Sequence, residues 1–515
     1  MARLHEYQGK AILAANGFKI PRGRAASTAD QAMAAAKELA NETGGEVVIK
    51  IQAWTTGRAG IGGVAFAKEP DDVCAHAERM LSMKVGQFPV EAVLVEEKIA
   101  IEREFFLSFA IDDAARAPII IFAGGGGSGI EERAASTRRI ACDVNRGPQD
   151  SAVSEAVASC GLSPAHAAQL TKSIQRLFAA ARSVEARSLE INPLVLTKDG
   201  QFIAADCRIT IDDYAVVRHP ELGIEIAREF DHPPTALERV AYAVEQSDHR
   251  GTFYFAQLAK TATKDSKGLV GFHGAGGGGS MMSMDAIVNA GFIIANFTDT
   301  SGNPSASKVY RASRIILAQP DLVGYFGSGS GVASQEQYWS AYGVAKAFWE
   351  LDLDIPAVIR LGGNTEDRAV DILQRMSKLL RAPVEGYRKT DAPATIAGRF
   401  AEVVGSAGGT KWKPRAPRMP KFIKNKSATM LAVKGGRVWI DTARWSQIRP
   451  AVETHSSGLI VDRAGAPAAA LPNEEFANKD SELLACDVEC RLAGVEGFYL
   501  ELDIPGLEQL IGGAR

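Results

Sequence analysis

Leu189-Glu190-Ile191-Asn192-Pro193-Leu194-Val195, followed by Gly200-Gln201-Phe202-Ile203-Ala204-Ala205-Asp206, is the stretch on which the reading of this chain turns. Aliphatic residues alternate with Glu190 and Asn192, and Lys198-Asp199-Gly200 supplies a turn, so the segment reads as a strand pair. On that hairpin Glu190, Asn192 and Asp206 can share one face and present oxygens to a hard cation. Magnesium needs few protein oxygens when phosphates and waters complete its shell. An ordinary polar hairpin face is the plain alternative, and oxygens at i and i+2 between aliphatics weigh against it.

Toward the N-terminus, residues 3 to 16 place Leu4, Tyr7, Ala11 and Ala14 on one helical face, stopped by Asn16-Gly17. Thr28-x-x-Gln31 reads as a capping box ahead of a second helix. Val47-Val48-Ile49-Lys50-Ile51 then reads as a strand leading into a glycine-rich loop, Trp54 to Gly63, that contains Gly57 and Arg58. Cations beside a glycine backbone suit phosphate oxygens; taken alone, a surface lysine before a flexible turn is an equal reading. With further strands near Ala92–Val95, Pro118–Phe122 and Glu190–Leu196, residues 1–235 form a mixed α/β domain.

Beyond it the rhythm becomes strand, glycine loop, helix, three times over. Leu269–Phe272 runs into His273–Gly279 and a helix from Ser280; Leu322–Phe326 runs into Gly327–Gly331 and a helix capped by Ser334; Ala357–Arg360 runs into Gly362-Gly363-Asn364. Such units imply a doubly wound parallel sheet over residues 236–400, with its loops converging on the ligand edge. Gly274-x-Gly276-x-x-Gly279 with Asp299 downstream also fits a dinucleotide fingerprint, but a nicotinamide enzyme leaves the first 235 residues unexplained. Residues 401–427 include seven Lys or Arg and three Pro without an acid between Lys411 and Lys426, which reads as a basic linker and solvated tether. Two apolar runs around Gly435-Gly436 predict a hairpin that opens a small α+β extension, residues 428–515, of unknown role.

Composition bounds the rest. A 515-residue chain with 46% hydrophobic and 23% charged residues is globular and multi-domain. Its 58 basic against 61 acidic residues leave a charge of −3, which argues against a nucleic-acid or anionic-membrane coat. Six cysteines make no disulfide framework, and Cys486-x3-Cys490 has no accompanying cluster for a metal. The N-terminal residues lack a signal-peptide core and the glycine-broken apolar stretches do not suit a membrane helix, so a cytoplasmic protein is expected.

Several motifs together carry a family resemblance: Leu4-His5-Glu6-Tyr7-Gln8, Val48-Ile49-Lys50-Ile51-Gln52 before Gly57-Arg58 and Gly62-Gly63, Leu94-Val95-Glu96-Glu97, Arg103-Glu104, Glu190-Ile191-Asn192-Pro193-Leu194 with Asp206, Arg218-His219-Pro220-Glu221-Leu222, Gly274-Ala275-Gly276, Ala295-Asn296-Phe297 and Arg360-Leu361-Gly362-Gly363-Asn364. In order and spacing the chain resembles the succinyl-CoA synthetase β-subunit family, with its malate-CoA ligase, citryl-CoA synthetase and ATP-citrate lyase relatives. The resemblance implies an ATP-grasp domain followed by a flavodoxin-like CoA-ligase domain. It implies that Lys50, Gly57 and Arg58 lie along the nucleotide phosphates, that Glu96 and Glu104 line the nucleotide pocket, and that Asn192 and Asp206 hold Mg²⁺. Glu190 would orient a partner histidine, while Gly274, Gly276, Gly329 and Gly331 would serve the second site, the Gly327–Gly331 loop and following helix offering amides to the phosphohistidine.

The implied function is a β-type subunit of an ADP-forming acyl-CoA ligase acting on a di- or tricarboxylic acid of the succinate, malate or citrate class. The phosphorylated histidine and the CoA pocket would belong to an α-type subunit in a hetero-oligomer. None of this chain's eight histidines sits in that subunit's context. Three departures stand out. Gly57-Arg58-Ala59-Gly60-Ile61-Gly62-Gly63 lacks the family's loop lysine, His273 replaces an asparagine, and Ser301-Gly302-Asn303-Pro304-Ser305 is similar to the citrate branch. Two other readings stay open: an ATP-grasp carboxylate–amine ligase, which needs no second domain, and a non-catalytic regulatory subunit, favoured by the altered loop and opposed by the retained Glu190, Asn192 and Asp206.

Overall fold

The computed structural model describes residues 2–43, 45–55, 57–127, 137–228, 230–248, 252–329, 331, 333–424, 427–433, 435–456 and 473–512. Thr56 of the first glycine loop, Ser330 of the second, Lys426 of the basic segment and Lys434 of the hairpin lie outside them. The chain divides into two units, Met1–Pro233 and Pro234–Arg515.

Among the described residues the first unit carries two large antiparallel sheets and a two-stranded ribbon, Lys84–Val85 with Phe88–Pro89. In the smaller, the strand Val47–Ile51 lies between Val93–Glu97 and Val64–Ala67, with Gly23–Ala26 outermost. Val47, Ile49 and Ile51 alternate inward with Val93 and Val95, and the helices Ala29–Thr43 and Pro70–Leu81 bury Ala32, Ala36, Val73 and Ala77 in the same core. Lys50 points to the other face. The larger, eight-stranded sheet centres on Ala186–Thr197, which pairs with Ile101–Asp112, Arg208–Ile211 and Phe202–Ala204. The helix Pro164–Ser183 packs on it through Leu170, Ile174 and Leu177; Ser163 caps that helix by accepting the His166 N–H, and Pro164 occupies its first turn. The first helix is shorter than its pattern suggested. Ala2 and Arg3 pair with Ile211 and Thr210 as a strand, so the helix starts at Glu6 and ends at Ala15, before Gly17 at φ +82°.

The second unit is built on a six-stranded sheet: Tyr254–Gln257, Ile293–Asp299, Leu269–Ala275, Leu322–Gly329, Ala357–Arg360 and Val384–Tyr387. All neighbours run parallel except the first pair, and the five parallel strands follow the flavodoxin-like order 2-1-3-4-5. The helices Gly277–Asn289 and Pro393–Ser406 cover one face around Phe272, Phe326 and Phe400. On the other face, Ala306–Ile316, Tyr338–Leu351 and Glu366–Ser377 bury Tyr310, Tyr342, Phe348 and Leu373.

Two expected helix starts move. The helix expected from Ser280 begins at Gly277, on Gly276 with φ +93°. The helix expected after Ser334 starts at Tyr338, following Gln337, because residues Ala333–Glu336 are extended and pair with Gly363–Asn364. A backbone committed to that ladder cannot turn into a helix four residues early.

The basic segment is not a solvated tether. Trp412 is buried, donates its indole N–H to Leu317 O at 2.6 Å, and exchanges backbone bonds with Leu322 and Asp321. Arg418 donates its backbone N–H to Glu350 O at 2.6 Å, and its guanidinium lies 4.4 Å from the Trp349 ring. The hairpin Ala428–Val433/Gly436–Asp441 gains a third antiparallel strand, Phe498–Leu502, and the helix Asn473–Leu492 packs with it into the same core as the Tyr338–Leu351 helix.

Candidate functional site

The first unit gathers six charged side chains from five separate pieces of sequence. Lys50 Nζ lies 3.0 Å from Glu6 Oε1 and 2.9 Å from Glu96 Oε2, and donates to Ala205 O at 2.9 Å. Lys10 Nζ lies 2.7 Å from Glu6 Oε1 and 2.6 Å from Glu96 Oε1. Arg58 contacts Glu6 and grips Asp206 through both carboxylate oxygens, at 2.8 and 2.7 Å. Three cations thus balance three anions. Glu6, Lys10 and Glu96 are sealed, while the Asp206 side chain is 34% exposed and opens the cluster to solvent.

Burial alone would raise the Glu6 carboxyl, but Lys50, Lys10 and Arg58 hold it well below the usual carboxylate range. Burial alone would lower the Lys50 ammonium, yet Glu6 and Glu96 hold it above its ordinary value. Arg58 follows the same logic through Asp206 and Glu6. The loop that presents Arg58 is a single 3₁₀ turn, Arg58–Ile61, between Gly57 and Gly62 in left-handed conformations at φ +64° and +75°.

The hairpin residues are re-aimed by an irregular ladder. The register against Ile101–Asp112 shifts between Ile191 and Leu194, so Asn192 sits in a bulge. Its Oδ1 accepts the Gly127 N–H at 2.9 Å. Ala205 N–H donates to Pro193 O at 3.1 Å, which makes Asn192 and Asp206 close neighbours across the hairpin. Glu190 stands opposite Arg208 and Ser108. Glu104 lies opposite Val195, and Gly126 N–H donates to its carbonyl at 3.0 Å. A Cβ on Gly127 would fall 2.5 Å from Glu104 Oε2, so only glycine, here at φ +83°, lets that loop close over both Glu104 and Asn192.

Lys50, Arg58, Glu96 and Asp206 therefore share one network, while Asn192 and Glu104 share the Gly126–Gly127 loop. Sequence reasoning missed Glu6, Lys10 and that loop. Glu6 and Lys10 were legible as an i, i+4 pair inside the first helix, and the Gly124–Gly127 run directly follows a strand. Among the described residues no group of three or more His, Cys, Asp or Glu could hold a metal.

In the second unit the loops do converge at the carboxyl ends of the strands. Gly274 is a packing glycine, since a Cβ there would meet Ser280 Cβ at 2.8 Å and Thr298 O at 2.9 Å. The Gly276 and Gly277 N–H groups donate to Asp299 at 3.1 and 3.2 Å, and Ser301 N–H donates to the same carboxylate at 2.8 Å. Asp299 thus occupies the amides that a dinucleotide phosphate would need. A Cβ on Gly329 would have no neighbour closer than 3.7 Å, whereas Gly331 adopts φ +78° beside Arg360. Arg360, buried, donates to Gly329 O at 2.9 Å and Lys389 O at 2.8 Å, while its Nε finds no partner among the described residues. His273 is buried between Tyr325 OH at 2.6 Å and Thr300 Oγ1 at 3.1 Å, and burial lowers its pKa to about 4. It is a neutral core histidine.

Residues 3–196 match the ATP-grasp domain family. The chain is 34% identical over 376 residues to the β subunit of a GDP-forming succinate–CoA ligase from Thermus thermophilus, covering 72% of this chain and 93% of the relative. It is 33% identical over 400 residues to an ADP-forming succinate–CoA ligase β subunit from Archaeoglobus fulgidus, covering 75% and 98%. An ATP citrate lyase from Methanothrix soehngenii, solved with citrate and coenzyme A, superposes with a TM-score of 0.62 at 18% identity, covering 78% of this chain and 99% of that one. The last likeness concerns the fold. Among the described residues no helix is long and apolar enough to cross a membrane.

Proposed function

Because the chain belongs to the succinate–CoA ligase β-subunit family, we propose that it is the nucleotide-handling half of an ADP-forming carboxylate–CoA ligase. In this reading it binds Mg-ATP and phosphorylates a histidine of an α-type subunit. An acyl phosphate of a di- or tricarboxylic acid then forms and yields the CoA thioester. The observation that carries the reading is the balanced cluster with one open edge, Glu6, Lys10, Lys50, Glu96, Arg58 and Asp206.

Phosphoryl transfer asks mainly for positioning and charge neutralisation. Lys50 and Arg58 are the cations aimed at the open edge, and phosphate oxygens can replace the carboxylates that hold them. Glu6 and Glu96 keep Lys50 charged and fix its direction from behind. The donors suit a hard cation: Asn192 offers an amide oxygen and Asp206 a partly exposed carboxylate on neighbouring hairpin positions. Two protein oxygens suit Mg²⁺, which keeps waters and phosphates, and it would supply neutralisation of triphosphate charge. Glu190 orients the partner's histidine.

No histidine of this chain is needed as acceptor, and His273, with both ring nitrogens engaged in a buried site, is unsuited to the role. Arg360 at the second loop cluster is the group for a substrate carboxylate. Asn303 Oδ1 accepts the Gln335 N–H at 3.1 Å, tying the loop similar to the citrate branch to that edge. The test is co-expression with an α-type subunit and a screen of ATP, CoA and a panel of di- and tricarboxylic acids for ADP release. CoA-dependent ADP release with one acid supports the proposal; ADP release that needs an amine and not CoA overturns it.

A further inference from the structure

The second unit contains a cavity of about 530 Å³ away from the glycine loops, within the range of small-molecule sites. Tyr338, Trp339 and Tyr342 line one wall from the start of their helix, Arg368 another from the first turn of the next, and Glu489 and Cys490 a third from the helix Asn473–Leu492. The cavity is therefore shared between the doubly wound sheet's helices and the segment after residue 428, for which the family resemblance offers no counterpart.

Its chemistry is specific. The Tyr338 and Trp339 rings lie 4.8 Å apart, and those of Tyr338 and Tyr342 5.9 Å. The Arg368 guanidinium sits 4.0 Å from the Tyr338 ring and donates to Tyr342 OH at 2.7 Å. Tyr342 OH in turn donates to Glu489 Oε1 at 2.6 Å. Arg368 is thus oriented by rings and a hydroxyl, and among the described residues it forms no ion pair with a carboxylate. A fixed guanidinium without a carboxylate in direct contact recognises an acidic group, and clustered rings recognise a flat one; the neighbouring Glu489 is itself met by Arg375 at 3.7 Å.

We propose that this cavity binds a small molecule joining a flat aromatic ring to an acidic group, and that its occupancy acts on the substrate edge. The route is short. Tyr338 follows the strand Ala333–Glu336 and Arg368 follows Gly363–Asn364; these strands pair, and Gln337 N–H donates to Asn364 O at 2.9 Å. A ligand that fixes the first turns of both helices fixes this strand pair beside Gly331 and Arg360.

Cys490 reports occupancy. It lines the cavity half-buried beside Cys486, so a bound molecule shields its thiol from an alkylating agent. The full chain is alkylated with N-ethylmaleimide and the label located by peptide mass, with indole-3-acetate as a carboxylate probe and adenosine 5′-monophosphate as a phosphate probe. At least one probe is expected to slow alkylation of Cys490 and leave Cys74 unchanged. Arg368→Gln and Trp339→Leu are each expected to raise the half-protecting concentration about tenfold. Absence of protection by both probes at millimolar concentration, or protection unchanged in Arg368→Gln, overturns the site. In the complex with its partner subunit, a protecting probe that leaves the acid's KM unchanged overturns the coupling.

Discussion

Each unit holds a buried ion network, and the two differ in one respect that separates a site from a strut. In the second unit, Lys346 Nζ lies 2.6 Å from both Glu350 Oε1 and Asp487 Oδ2, and all three side chains are fully enclosed. Tyr310 and Tyr499 donate their hydroxyls to Glu350 at 2.6 and 2.8 Å, and the Tyr499 ring covers Lys346 at 4.2 Å. That core joins the helix Tyr338–Leu351 to the helix Asn473–Leu492 and the strand Phe498–Leu502, with the exposed Glu508 attached at its rim through Arg314, which lies 3.4 Å from Glu350. The first unit's network has the same kinds of ions, yet Asp206 opens it and glycine loops flank it. A network whose shared lysine is fully enclosed fixes architecture; one whose exposed carboxylate holds the arginine of a glycine loop can accept another anion.

The largest break in this comparison is Asp206→Ala or Glu190→Gln in the complex with the partner subunit. Each is expected to lower turnover by about 10³-fold, with the fold retained by circular dichroism; full activity in either removes the site assignment. The mirror experiment is Lys346→Met, which removes the cation that Glu350 and Asp487 share and leaves each with one arginine, Arg314 at 3.4 Å and Arg491 at 2.9 Å. It is expected to destabilise the second unit by about 3–5 kcal/mol, read by denaturant unfolding of the full chain, and a change below about 1 kcal/mol would remove the strut reading.

A smaller effect sharpens the contrast through pH. His273 has a pKa lowered to about 4 by burial, so the unfolded chain takes up its proton first as pH falls below about 6.5. The stability linked to neutral His273 is full above that pH and is lost progressively down to about 4. Between pH 7 and pH 5 this amounts to about 2 kcal/mol, measurable as a falling denaturation midpoint. In His273→Asn that portion of the slope should vanish; an identical slope would place the titrating group elsewhere.

How much of this was legible depended on whether a residue's role is set locally. The strand at Val47–Ile51, the hairpin around Asp199-Gly200 and the repeated strand–loop–helix units are written in short-range pattern, and the structure has them. The Ser334 helix start was not legible, because pairing of Ala333–Glu336 with Gly363–Asn364 is a contact between segments thirty residues apart in sequence. Nor was the strapping of the basic segment: its Lys and Arg count suggested solvent, while the buried Trp412 and Phe422 decide the packing. At the site, Lys50 and Asp206 could be named one by one, but their joining through Glu6 and Arg58 is a property of the fold.

The central claim is that the first unit's open ion network is a Mg-nucleotide site. It is tested most directly by titrating the full chain with ATP in the presence and absence of Mg²⁺, for wild type and for Lys50→Met shown to be folded by circular dichroism. Saturable, Mg²⁺-dependent binding that is lost in Lys50→Met is the predicted result. Equal binding by the two chains would contradict the account.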